Sequence, residues 1–122
     1  MLNLDTHMLV HGLEDNVTPA ERRLLAEEPW GISAIVLWEL AKLAQLGRIA
    51  LDLGSPELAE TLASIHVWPL DLTVARVSAA LDFRSDPADE IIAATSVVHS
   101  VPLLTRDRRI RRSRMVPLAR TR

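Results

Sequence analysis

Pro102-Leu103-Leu104-Thr105-Arg106-Asp107 is a short apolar run that breaks off at an acid, and Leu2-Asn3-Leu4-Asp5-Thr6 has the same form at the start of the chain. Runs this short, apolar on successive residues and bounded by polar ones, suit strands buried on both faces. A third run, Gly31-Ile32-Ser33-Ala34, lies between stretches with helical signals. Thr18-Pro19-Ala20-Glu21 reads as a capping box with proline at the first helical position, so a helix is expected to about Glu28, where Pro29 ends it. The segment before it reads as strand, loop and helix start, with a turn-like cluster from Gly12 to Asn16.

Working outward, Ser33 caps an expected helix whose apolar positions Val36, Leu37, Leu40, Leu43 and Ala44 recur at helical spacing, and Gly47 is its stop. Ser55-Pro56-Glu57 starts another, to about Ala63. Ile65 to Leu70 is a further short run, Leu72 to Leu81 has helical periodicity, and Asp86-Pro87-Ala88-Asp89 opens a helix through Ile91, Ile92, Ala94, Thr95 and Val98. Met115 to Leu118 is read as a last short strand. Without hairpin turn signals, this alternation indicates an α/β protein with a parallel sheet covered on both faces.

A chain of 122 residues fits one domain, 1–122, with one core. With no cysteine, disulfides, thiolate zinc sites and cysteine nucleophiles are excluded, and any metal must sit on oxygen or imidazole. Met1 to Val10 lacks the basic start and long apolar run of a signal peptide, and no segment reaches the ~18 apolar residues of a membrane span. A soluble cytoplasmic protein is expected. The formal net charge of -2 is unevenly spread: from Arg106 to Arg122 there are eight arginines against one acid, Asp107. Arg106, Arg108, Arg109, Arg111 and Arg112 are therefore candidates for phosphate contact, although such a run also serves as a solvated face or a dock for an acidic partner.

Sites in open α/β sheets gather outside the carboxyl ends of the strands. Asp5 and Asp107 follow strands; Glu39 and Asp89 lie in the first turns of helices whose N-termini face the same rim if those helices follow parallel strands. Four carboxylates in one pocket repel, and a divalent cation relieves the repulsion; an oxygen-only set favours Mg²⁺ or Mn²⁺ over Zn²⁺. Phosphodiester hydrolysis suits such a site. Each acid also has a structural reading. Asp86 is foremost an N-cap before Pro87, Asp89 favours the helix dipole, Glu39 suits an exposed helix position, and Asp5 and Asp107 suit turns or caps. Thr6 and Thr105 orient carboxylates or serve as local caps. The four histidines show no metal-ligand spacing of the H-x-H or H-E-x-x-H kind, and Trp30, Trp38 and Trp68 are expected in the core or at its rim. Glycine-rich phosphate loops and nucleophile-elbow motifs are absent.

Leu4-Asp5-Thr6-His7, Ser33 through Trp38-Glu39-Leu40-Ala41 to Gly47-Arg48-Ile49, Asp86-Pro87-Ala88-Asp89-Glu90-Ile91-Ile92-Ala93-Ala94-Thr95 and Leu103-Leu104-Thr105-Arg106-Asp107 together resemble, in order and spacing, the motifs of VapC-like PIN domains. The resemblance runs from about Leu2 to Leu118. It implies a three-layer α/β/α sandwich with a central parallel sheet, and RNA cleavage with Mg²⁺ or Mn²⁺ held by Asp5, Glu39, Asp89 and Asp107. Thr6, Asp86 and Thr105 are then supporting residues. It further implies a homodimer, a cognate antitoxin that blocks the site, and a structured substrate such as tRNA or ribosomal RNA. One departure is Glu90, where relatives with the D-P-x-D motif often carry arginine; the extra negative charge puts affinity for an RNA phosphate in question. The alternatives are a DNA nuclease and an inactive PIN-fold module that binds nucleic acid or protein. A phosphoryl-receiver domain ranks below these, because Arg106-Asp107 stands where such a domain needs lysine.

Overall fold

The computed structural model describes residues 1–121. Its sheet has four strands, β1 (Leu2–Leu4), β2 (Trp30–Ser33), β3 (His66–Trp68) and β4 (Leu103–Leu104), in the order β3-β2-β1-β4 with every pair parallel. Asn3 lies opposite Gly31 on one side and Leu103 on the other. Parallel neighbours cannot be joined by a tight turn, so each connection crosses over through helices. These are α1 (Thr6–Leu13), α2 (Pro19–Glu27), α3 (Ala34–Gln45), α4 (Pro56–Ala63), α5 (Leu72–Ser78), α6 (Pro87–His99) and α7 (Arg108–Arg111). The central strand β1 is buried at all three positions, as a strand with both faces covered must be. Leu4, Met8, Leu9, Ile32, Val36, Ile92 and Leu103 are fully buried in one continuous core. Among the described residues, no helix is long and apolar enough to cross a membrane.

Local chemistry explains most boundaries. Thr18 and Glu21 form the reciprocal capping box of α2, Ser33 accepts from Ile35 N, Ser55 from Leu58 N and Asp71 from Val74 N. Gly47 follows α3 with φ +69°, a conformation that favours glycine. Three expectations are corrected. The segment after Asp5 is not a loop but the eight-residue α1, started by the Asp5 carboxylate accepting from Met8 N at 2.8 Å. Its continuous run Met8-Leu9-Val10 hides the helical period. Asp86 sits at the N-cap position of α6, yet its side chain makes no capping bond. The strand expected over Met115 to Leu118 shrinks to a single parallel bridge between Leu103 and Leu118, since Pro117 brings no N–H to a ladder.

Trp68 is buried against Gly31 and Trp30 is partly buried, but Trp38 stands 55% exposed on α3, more open than the place in the core or at its rim expected for it. A Cβ on Gly31 would come within 2.5 Å of the Trp68 ring. Gly31→Ala is therefore expected to destabilise the protein by about 1–3 kcal/mol, read from its urea unfolding midpoint. An unchanged midpoint would mean that the indole turns aside freely.

Glu21 of α2, 5% exposed, bonds Arg106 just beyond β4 and so ties the two elements. The guanidinium's hydrogen bonds hold the Glu21 carboxyl down to about 2, against the effect of burial and with help from Thr18. Because the charged form is favoured in the folded state, its contribution is complete above the ordinary value of 4.5 and fades as pH falls toward 2. The stability gap between wild type and Glu21→Gln is expected to narrow between about pH 6 and about pH 3. A gap independent of pH would assign the loss to packing alone.

Candidate active site

All four expected acids stand at the carboxyl rim of the sheet or on helix turns next to it. Asp5 directly follows β1 and is buried at 8% exposure. Burial pushes its carboxyl above the ordinary range; Thr105, the Met8 amide and His7 oppose this, and the charge of Asp107 adds to it. Asp107 caps α7, its Oδ1 accepting from Arg109 N at 2.8 Å and Ile110 N at 3.1 Å. Thr105, itself buried, accepts from Asp107 N at 3.0 Å and steadies the charge of Asp5, so one hydroxyl serves both acids.

Asp89 projects from the first turn of α6, which runs antiparallel to the strands and so brings its N-terminus to this rim. Its Oδ2 accepts from the Ser85 hydroxyl at 3.1 Å. Burial raises its carboxyl first, Ser85 counteracts, and the charges of Glu39, Asp107 and Asp5 raise it further. Glu39, half-buried on α3, is fixed by a hydrogen bond from the Thr6 hydroxyl. Thr6 and Thr105 thus both orient acids.

A cavity of about 300 Å³ is lined by Asp5, Asp89 and Asp107, with His7, His11, Met8 and Arg106 completing it. Glu39 lies outside that lining and joins the group through its charge on Asp89. Asp89 and Asp107 also border a second cavity of about 440 Å³, which includes Asp86, Arg108 and Arg109. Among the described residues, no three His, Asp or Glu side chains stand together as a ready-made metal site. Asp89 and Asp107 are each held by protein donors at one oxygen, whereas Asp89 Oδ1 and Asp107 Oδ2 have no donor among the described residues. This oxygen-only set, in which burial and neighbouring acids push the Asp5 and Asp89 carboxyls up, has the chemistry a hard divalent cation needs.

Three of the five candidate arginines make hydrogen bonds within the chain. Arg106 is bound to Glu21, Arg109 Nη1 donates to Arg84 O at 2.8 Å, and Arg111 Nη1 to Thr105 O at 3.2 Å. Arg108 and Arg112 are exposed without such ties among the described residues. Glu90 is occupied too: its Oε2 accepts from Ser85 N at 3.4 Å.

Three residues escaped the sequence reading. Ser85 holds both Asp89 and Glu90, and its only signal was its place next to Asp86-Pro87. Glu21 was legible only as a cap. Asn3, fully buried in β1, donates to Ile92 O at 3.0 Å and Ser96 Oγ at 2.9 Å, binding the strand of Asp5 to the helix of Asp89. A polar residue inside an apolar run was its signal.

Comparison with known proteins agrees with the fold. The PIN domain model matches residues 3–114. Ribonuclease VapC22 of Mycobacterium tuberculosis is 38% identical over 89 residues, covering 68% of this chain and 66% of that protein, just under two thirds of its length. A toxin-antitoxin complex from Klebsiella pneumoniae contains a chain that superposes with a TM-score of 0.66 at 20% identity, over 88% of this chain and 87% of that one. VapBC2 from Rickettsia felis, bound to a DNA fragment from its promoter, superposes at 0.70 and 16% identity over 98% of both chains. At these identities the structural matches speak for the fold. With its parallel sheet, its rim of acids and the matched region from Asn3 to Arg114, the chain belongs to the PIN-domain family and is similar to the VapC-type members.

Proposed function

We propose that this protein is a metal-dependent endoribonuclease that hydrolyses RNA phosphodiester bonds as the toxin of a toxin-antitoxin pair, with Mg²⁺ or Mn²⁺ held by Asp5, Glu39, Asp89 and Asp107. The observation that carries it is the cavity lined by Asp5, Asp89 and Asp107, with Glu39 close enough for its charge to act on Asp89. The relative named a ribonuclease and the toxin-antitoxin neighbour support the reading. When bound, such a cation supplies neutralisation of the cluster and an activated water for attack at phosphorus. The chain's own part is to aim the acids: Thr6 sets Glu39, Thr105 sets Asp5 and the Asp107 backbone, and Ser85 sets Asp89.

Structured RNA of the tRNA or ribosomal class, a cognate antitoxin and a homodimeric state belong to the same proposal. Leu37 and Trp38, 40% and 55% exposed on the helix that carries Glu39, give an apolar face that supports a protein partner. A second reading, an inactive nucleic-acid or protein binding module, is favoured by one observation, the lack of a ready-made metal site among the described residues.

Cleavage of a total small-RNA pool with Mg²⁺ or Mn²⁺, run beside EDTA and Asp5→Asn controls, decides between them. Cleavage lost in both controls is expected; persistence in either sinks the metal site, and none under any condition favours the binding module. Unfolding adds an independent check. In EDTA, Asp89→Asn is expected to raise the melting temperature, since it removes a half-buried charge that three acids repel. Adding Mn²⁺ is expected to raise the wild-type value and leave the variant's unchanged. Equal shifts in both proteins would place the ion elsewhere.

A further inference from the structure

The polar lining of the acidic cavity is of two kinds, carboxylates and nitrogen-bearing side chains that include Arg106 and His11, with Met8 as its apolar member. Arg106 has strong reason to turn onto the acids, being adjacent to Asp107 in sequence and drawn by the charge of Asp5. It is instead held side-on by Glu21. Its Nε and Nη2 donate to the two Glu21 oxygens at 2.9 and 2.7 Å, and Nη2 also to Asn16 O at 3.2 Å. A guanidinium carries five N–H donors in one rigid plane. Three are used here, and both donors of Nη1 have no partner among the described residues. His11, half-buried in the last turn of α1, likewise makes no side-chain hydrogen bond among the described residues.

We infer that Glu21 is a positioning residue that keeps Arg106 off the acids, so that Nη1 of Arg106, with His11 of the same cavity lining, forms a phosphate seat. Glu21 answers the arginine's charge from outside the cavity, leaving the carboxylates available to a cation. The two N–H groups left on Nη1 diverge, so each can donate to a separate phosphate oxygen in a charge-assisted hydrogen bond. An unclamped arginine would neutralise the acids itself, and both the cation and the substrate would lose their place. The ligand class rests on the ribonuclease reading, in that the phosphate is a nucleic-acid backbone group.

The test is binding of a fluorescein-labelled single-stranded RNA oligonucleotide by fluorescence anisotropy, with Ca²⁺ in place of the catalytic ion. Arg106→Lys is expected to weaken binding about tenfold and Glu21→Gln about fivefold, with the double variant no worse than Arg106→Lys alone, because Glu21 acts through Arg106. His11→Ala is expected to lose about threefold, the scale of one neutral hydrogen bond. Thr18→Ala removes the cap of the same helix but leaves the ion pair, and is expected to bind as the wild type does. Wild-type binding by folded Arg106→Lys and Glu21→Gln, additive losses in the double variant, or no binding by the wild type overturns the seat. Should Glu21→Gln fail to fold, Arg106→Lys and His11→Ala carry the test. Cleavage with Mn²⁺ separates the two readings: the expected binding pattern without cleavage ends the ribonuclease reading and leaves the seat standing, whereas cleavage with unchanged KM in both variants does the reverse.

Discussion

Repulsion among carboxylates is the constraint around which this rim is organised. Asp5, Glu39, Asp89 and Asp107 come from separate elements, and the charges of the other three all act on Asp89. Such a group holds its shape only if each member is anchored by a donor that does not cancel its charge. The anchors here are hydroxyls and backbone amides: Thr6 for Glu39, Ser85 for Asp89, the Met8 amide for Asp5, and the first-turn amides of α7 for Asp107. A lysine or arginine in those places would satisfy the same oxygens and remove the demand for a cation.

The parallel sheet is what makes the convergence possible. With every strand pointing one way, each carboxyl end and each following helix start lies on the same rim. Asn3 adds a cross-tie from the central strand to α6, fixing the strand that delivers Asp5 against the helix that carries Asp89. Its own Oδ1 is buried without a partner among the described residues, a local cost of placing an amide inside an apolar strand.

Positive charge near the acids is handled by engagement elsewhere. Arg106 faces Glu21, Arg109 reaches Arg84 O and Arg111 reaches Thr105 O, so a segment that looks uniformly cationic in one dimension is partly built into the fold. Glu90, the departure from the family pattern, is drawn to the Ser85 amide and so has a structural occupation of its own. Both cases show why counting charges along a chain overstates what remains available to a ligand.

Much of the architecture was legible in the sequence because its signals are local. The capping box at Thr18 and Glu21, the serine caps at Ser33 and Ser55, the stop at Gly47 and the short apolar runs each depend on neighbours within a few residues. The acids could be named for a related reason: strand ends and helix starts mark one rim in any parallel α/β sheet. Helix α1 was missed because its apolar run is continuous and its capping residue doubles as a candidate ligand. What only the tertiary structure decided is pairing at long range. Arg106 meets Glu21 across 85 positions and Asn3 meets Ser96 across 93, and the period or spacing of a sequence does not encode which distant partner a polar group finds. The sequence determined the elements and the supply of carboxylates; folding determined which charges are answered within the chain and which are left for something else to answer.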